Sequence, residues 1–251
     1  MKRIVLSFDG TWNTPADDDI PDDQRVETNV SRFHRSITSA GPDGLEQDAW
    51  YNAGVGTGAL LKLTGGAFGA GLDKHIIDGY RHLVDTYEDG DEVFVLGFSR
   101  GAYTARSLVG MIRNCGLVKP GRFSELQIGM AYGIYRTRHD GPDSAAATAF
   151  RRSFGREIRI NFLGVWDTVG ALGIPLRVAS KLDAALYQFH DTKLSGIVDR
   201  AFHAVAVDEH REDYAVTLWD PDAARPAAAF EQRWFPGAHA DVGGGYDDRR
   251  L

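Results

Sequence analysis

Apolar positions along the chain occur in two textures. Short, nearly unbroken runs end on aspartate or glycine: Ile4-Val5-Leu6-Ser7-Phe8 before Asp9-Gly10, Glu92 to Leu96 before Gly97, Ile158 to Val165 before Trp166-Asp167, Ala201 to Val207 before Asp208, and Phe230 to Phe235 before Pro236-Gly237. Runs of this length predict strands of a buried parallel sheet, and Trp50 to Val55 predicts one more. Elsewhere apolar residues recur at helical spacing. Val30, Phe33, His34 and Ile37 form one such set; Leu72, Ile76, Tyr80, Leu83, Val84 and Tyr87 form a second. Ala102, Ala105, Leu108, Val109 and Ile112 form a third, with Gly116 and Pro120 where a helix stop is expected. Residues 136–149 turn from polar to alanine-rich and read as a connection leading into a helix. With no internal repeats, this alternation predicts one α/β domain over residues 1–251, a mainly parallel central sheet with helices on both faces. The mixed stretch 172–200 is the candidate cap or lid.

Composition narrows the function classes. The 251 residues include 35 acidic and 28 Lys or Arg, a net charge of −7, which lacks the positive field that duplex nucleic acid demands. Cys115 is the single cysteine, so neither an intrachain disulfide nor a multi-cysteine zinc site is expected. The basic pair Lys2-Arg3 precedes too short an apolar run for a signal peptide, which needs roughly 7–15 residues, and no run approaches the about 20 of a membrane span. The expectation is synthesis in the cytoplasm, with any export by a route without a cleaved signal. The aspartate-rich stretch Pro15 to Asp23 lacks the alternation and glycine of a calcium loop and reads as solvated. The glycine-rich passage Gly54 to Gly71 lacks the Gly-Lys-Ser/Thr of a phosphate loop. No cofactor and no metal are expected.

The chemistry centres on Gly97-Phe98-Ser99-Arg100-Gly101, a G-x-S-x-G string between a strand and a helix. That context defines a nucleophile elbow, a turn so tight that its flanking positions must be small. The helix start favours negative charge beside the serine, and the Arg100 N–H is one expected oxyanion donor. Gly10 and Thr11, after the first strand, are expected to supply the other. A serine needs a base. His239 follows the last expected strand in a run of small residues, whereas His203 and His210 bracket an earlier strand, and His34, His75 and His82 fall in helical patterns. Two acids remain open on topology, Asp167 and Asp208, each following a strand. Asp9 reads as an accessory acid, bonding its own loop or sharing a cation with Asp241.

These stretches resemble the α/β-hydrolase family of the type VI secretion phospholipase effectors and their uncharacterised relatives. The resemblance rests on Phe8-Asp9-Gly10-Thr11-Trp12-Asn13, Gly54-Val55-Gly56-Thr57, the run from Gly97 to Tyr103, Gly164 to Gly170, Asp208-Glu209-His210-Arg211, and Trp234 to Gly237 with His239, Asp241 and Gly243 to Gly245. It implies a Ser99–Asp167–His239 triad, with Asp208 structural or accessory, and hydrolysis of acyl esters, in the effectors those of phospholipids. It also implies a secretion-apparatus or immunity partner. The effectors are commonly longer, and the fold's usual terminal helix has no counterpart in Arg249-Arg250-Leu251, so a compact or truncated relative is expected. Two alternatives stand beside a serine esterase: a catalytically silent module of the same fold, and a peptidase or thioesterase using the same triad.

Overall fold

The computed structural model describes residues 1–10, 26–54, 65–137, 141–170, 193–220 and 229–246. Its centre is a six-stranded sheet in the order β2-β1-β3-β6-β7-β8, built from β1 (Arg3–Phe8), β2 (Gln47–Asn52), β3 (Glu92–Phe98), β6 (Ile160–Trp166), β7 (Val198–Ala206) and β8 (Phe230–Phe235). Every neighbouring pair is parallel. The apolar runs explain this arrangement. In β1 the side chains from Ile4 to Phe8 are all buried, as a strand covered on both faces requires.

Helices α1 (Asn29–Arg35), α2 (Gly65–Thr86), α3 (Arg100–Cys115), α4 (Ser124–Arg136), α5 (Ala145–Phe154) and α6 (His239–Gly243) connect and cover the strands. The α2 stripe buries Leu72, Ile76, Tyr80, Leu83 and Val84 as its spacing predicts. Each fully buried large apolar side chain contributes about 1.5–3 kcal/mol relative to exposure. Helix α3 is enclosed on nearly every side, and most of its buried residues are small or apolar, including Gly101, Ala102, Ala105, Leu108 and Met111, with Arg106 a buried exception. Tyr80 ties α2 to the far end of α3: its hydroxyl donates to the Gly116 carbonyl at 2.6 Å and accepts the Val118 N–H at 3.0 Å.

Some details depart from the sequence reading. The second strand spans Gln47–Asn52 rather than Trp50 to Val55, because its hydrogen-bonding partner β1 fixes the register from Arg3↔Gln47 to Phe8↔Asn52. A two-strand antiparallel pair, β4 (Leu117–Val118) with β5 (Gly155–Arg156), and helix α4 had no counterpart in the expectations. Of the candidate cap, 172–192 lies outside the described residues; from 193 the chain turns and enters β7. The segment after Tyr246 also lies outside them.

The strand order positions the site. From β1 the chain moves to one side for β2, then crosses to the other for β3. The carboxyl ends of β1 and β3 therefore border a topological switch point, where open α/β sheets form their ligand crevice. Asp9-Gly10 leaves β1 there and Ser99 leaves β3 there.

Candidate active site

Ser99 occupies the corner between β3 and α3 with φ 59° and ψ −123°, a region that side chains rarely adopt and that costs on the order of 1–3 kcal/mol. Its neighbours fix it there. The Ser99 N–H donates to the Trp166 carbonyl at 3.1 Å, and its own carbonyl accepts the Tyr103 N–H at 3.2 Å. Both motif glycines are steric necessities. A Cβ at Gly97 would lie 2.6 Å from the Gly101 carbonyl oxygen, and one at Gly101 would lie 2.2 Å from the Phe8 carbonyl oxygen. The elbow thus presses α3 onto the ends of β3 and β1 together.

The imidazole arrives from α6. Gly237, at φ 99°, turns the chain after β8, and Asp208 holds that turn by accepting the Gly237 N–H at 2.7 Å. Asp241 accepts the Ala238 N–H at 2.7 Å, capping the short helix. Glu209 accepts the His239 N–H at 3.2 Å, and the guanidinium of Arg211, bonded to Glu209, draws that carboxyl down to about 2. Phe98 lies against the His239 ring, with centroids 4.6 Å apart, and Tyr214 meets it edge-on at 4.9 Å. Gly243 leaves room for Phe98, since a Cβ there would come within 1.8 Å of that ring.

In this setting His239 Nε2 lies 2.8 Å from Ser99 Oγ, across 140 positions of sequence, and His239 Nδ1 lies 2.6 Å from the Asp167 carboxylate. All three side chains are buried. Asp167 follows β6 at φ 34°, its other carboxylate oxygen accepting the Ala206 N–H at 2.9 Å. A carboxylate oxygen facing Nδ1 favours the tautomer with its proton on Nδ1, which leaves Nε2 as an acceptor toward the Ser99 hydroxyl.

Strand order separates the two candidate acids. Asp167 leaves β6, which pairs with β3, whereas Asp208 leaves β7, one strand further from the serine. Asp208 bonds the Gly237 turn instead. His210 is exposed, and His82 pairs with Asp48 at 2.9 Å.

Of the expected oxyanion donors, Gly10 and Arg100 lie among the described residues. Arg100 opens α3, where backbone N–H groups lack an intrahelical acceptor; burial pushes its guanidinium down to about 10, still cationic at neutral pH. Thr11 lies outside the described residues. The Gly10 N–H donates to the Asp9 carboxylate at 2.6 Å. That buried carboxylate also accepts from Thr28 Oγ1 at 2.8 Å and from the Tyr51 hydroxyl, and burial raises its pKa. Asp9 therefore bonds its own loop and the start of α1, where Thr28 caps Ser31, while Asp241 serves Ala238. Among the described residues no group of three or more His, Cys, Asp or Glu is placed to hold a metal. Phe98, Tyr214 and Glu209 were not singled out from sequence; only adjacency to the serine and to the acidic run hinted at them.

A mainly parallel α/β sheet with serine at the strand–helix corner and histidine after the last strand has the architecture of an α/β-hydrolase-like protein. Residues 2–251 match the family described as type VI secretion system phospholipase effector Tle1-like, catalytic domain, and the chain belongs to that family. An uncharacterized protein of Saccharomyces cerevisiae is 30% identical over 244 residues, covering 88% of this chain and 33% of the relative. Two solved structures share the fold. An uncharacterized protein from Pseudomonas aeruginosa has a TM-score of 0.54 at 17% identity, over 98% of this chain and 42% of the other. The Tle1 effector bound to the VgrG spike of the type VI secretion system has a TM-score of 0.52 at 18% identity, over 97% and 51%. The chain spans between a third and about half the length of these proteins.

Proposed function

We propose that this chain is a serine hydrolase of acyl esters, with phospholipids as the substrate class, working through Ser99, His239 and Asp167. The carrying observation is the continuous contact from Ser99 Oγ through both imidazole nitrogens to Asp167, at 2.8 and 2.6 Å. Ser99 Oγ attacks the ester carbonyl while Nε2 takes its proton, and Asp167 stabilises the imidazolium that forms. The Arg100 N–H receives the developing oxyanion. For the Gly10 N–H to join it, that N–H must turn from Asp9 toward the substrate. Collapse expels the alcohol, protonated by His239, and leaves an acyl group on Ser99. Water activated by the same imidazole then releases the fatty acid.

The family's phospholipase description supports the lipid substrate. The solved Tle1–VgrG complex supports a secretion-apparatus partner and an export route without a cleaved signal. No helix among the described residues is long and apolar enough to cross a membrane. The test is a fluorophosphonate probe together with phospholipid vesicles. Wild type should be labelled and release fatty acid, and Ser99→Ala should do neither. A folded wild type that neither reacts nor hydrolyses would support a silent module. Labelling with turnover of thioesters or peptides alone would redirect the substrate class.

A further inference from the structure

The peptide after the acid is held by a second buried histidine. Thr168 is fully buried, and its backbone N–H donates to His203 Nε2 at 3.1 Å. A nitrogen that accepts an amide proton carries none itself, so His203 is the neutral tautomer with its proton on Nδ1. That nitrogen faces Gln232 Oε1 at 3.3 Å. The Gln232 amide is oriented from outside, because Oε1 also accepts the Trp219 N–H at 2.8 Å and Nε2 donates to the Trp219 carbonyl at 3.0 Å. The ladder explains how the three residues meet: Val165 on β6 pairs with His203 on β7, which pairs with Gln232 on β8.

The circuit closes on the same loop. The Thr217 N–H donates to the Thr168 carbonyl at 2.8 Å, Arg106 donates to the Thr217 carbonyl, and the Arg106 guanidinium lies over the Trp219 ring. The peptides on both sides of Thr168 are thereby fixed. The preceding residue, Asp167, sits at φ 34°, a conformation that persists only where its surroundings over-determine it.

We propose that His203 is a positioning residue for the hydrolase reaction, holding the Thr168 peptide so that the Asp167 carboxylate stays in line with His239 Nδ1. The proposal rests on the Ser99–His239–Asp167 reading. Burial, reinforced by Arg106, pushes the His203 pKa down to about 3, so the imidazole remains an acceptor toward Thr168 throughout an ordinary assay range. A charged ring would turn an N–H against the Thr168 N–H.

The experiment compares wild type with His203→Leu, His203→Gln and Gln232→Leu. Readouts are kcat and KM on a soluble ester across pH, and the downfield proton resonance of the His239–Asp167 bond. His203→Leu should lower kcat about 10–100-fold with KM nearly constant, since misplacement of about 1 Å costs on the order of a hundredfold. It should also shift the acidic limb of the pH profile and shift or broaden the downfield resonance. His203→Gln, which keeps an acceptor for Thr168, should recover most of the loss. Gln232→Leu gives a milder version and covers the case in which His203→Leu does not fold. A folded His203→Leu or Gln232→Leu protein with unchanged kcat, pH limb and resonance overturns the proposal. So does a loss that cooling below the melting transition fully reverses. An inactive wild type that still shows the resonance defeats the hydrolase reading instead, leaving the resonance to report on His203.

Discussion

Replacing Asp167 by Asn exchanges one carboxylate oxygen for an NH₂ group and sets up a conflict that the surrounding bonds make calculable. One carboxylate oxygen accepts the Ala206 N–H and the other faces His239 Nδ1. If the new carbonyl stays on Ala206, the NH₂ points at Nδ1, which must then become an acceptor. The imidazole proton moves to Nε2, where it blocks transfer from Ser99. A wrong tautomer of this kind costs about 10⁴ in kcat, or roughly 5.5 kcal/mol at 1.36 kcal/mol per tenfold. If the amide flips, the tautomer is rescued but the Ala206 N–H faces a donor, a buried unsatisfied group costing about 1–3 kcal/mol of stability. The variant therefore loses either turnover or stability, and its pH profile and melting curve distinguish the two. Asp208→Asn keeps a carbonyl oxygen able to accept the exposed Gly237 N–H and should cost less than about tenfold. The assay is hydrolysis of a soluble p-nitrophenyl ester at matched folded fractions, judged by circular dichroism. An Asp167→Asn protein of wild-type stability keeping kcat within tenfold, or an Asp208→Asn protein more damaged than it, would refute the reasoning.

Two further outcomes are expected. Gly101→Ala places a methyl against backbone atoms of Phe8 and Asp9 that have little freedom to move, and should cost about 3 kcal/mol or more, read as a lowered Tm; a change under about 0.5 kcal/mol would contradict the close packing at the elbow. Because His203 is held at about 3 when folded and near 6.5 when unfolded, the unfolded chain binds the extra proton between those values. Stability should therefore fall on acidification through that window, by up to about 1.4 kcal/mol per pH unit from this group. Urea melts at several pH values, with a folded His203→Gln as control, check the slope; equal acid sensitivity in both proteins would show that His203 is not its source.

What sequence revealed and what it concealed follow from how locally each feature is determined. The elbow is written within five residues: glycine at 97 is demanded locally by Gly101 and Ala102, and glycine at 101 by the end of β1 at Phe8 and Asp9. The buried strands announce themselves through runs such as Ile4 to Phe8. The choice between Asp167 and Asp208 is not local. Both follow strands, and only the lateral order β3-β6-β7, which chain order does not state, brings one beside the serine. The resemblance supplied that choice where periodicity did not. His203 looked like a weak base candidate for the same reason, as its tautomer is set by Gln232 on the neighbouring strand. Helix α4 was legible in principle, with Ile128, Ala131 and Tyr135 buried on one face. The pair β4–β5 was not, since two residues carry no period.

The separation of 140 positions between hydroxyl and imidazole also has a consequence during synthesis. At about 5–20 residues per second, the ribosome needs roughly 7–28 s after making the elbow before it adds His239. Throughout that interval the nascent chain carries Ser99 without the imidazole that the proposed mechanism requires, and chains abandoned before β8 never acquire it.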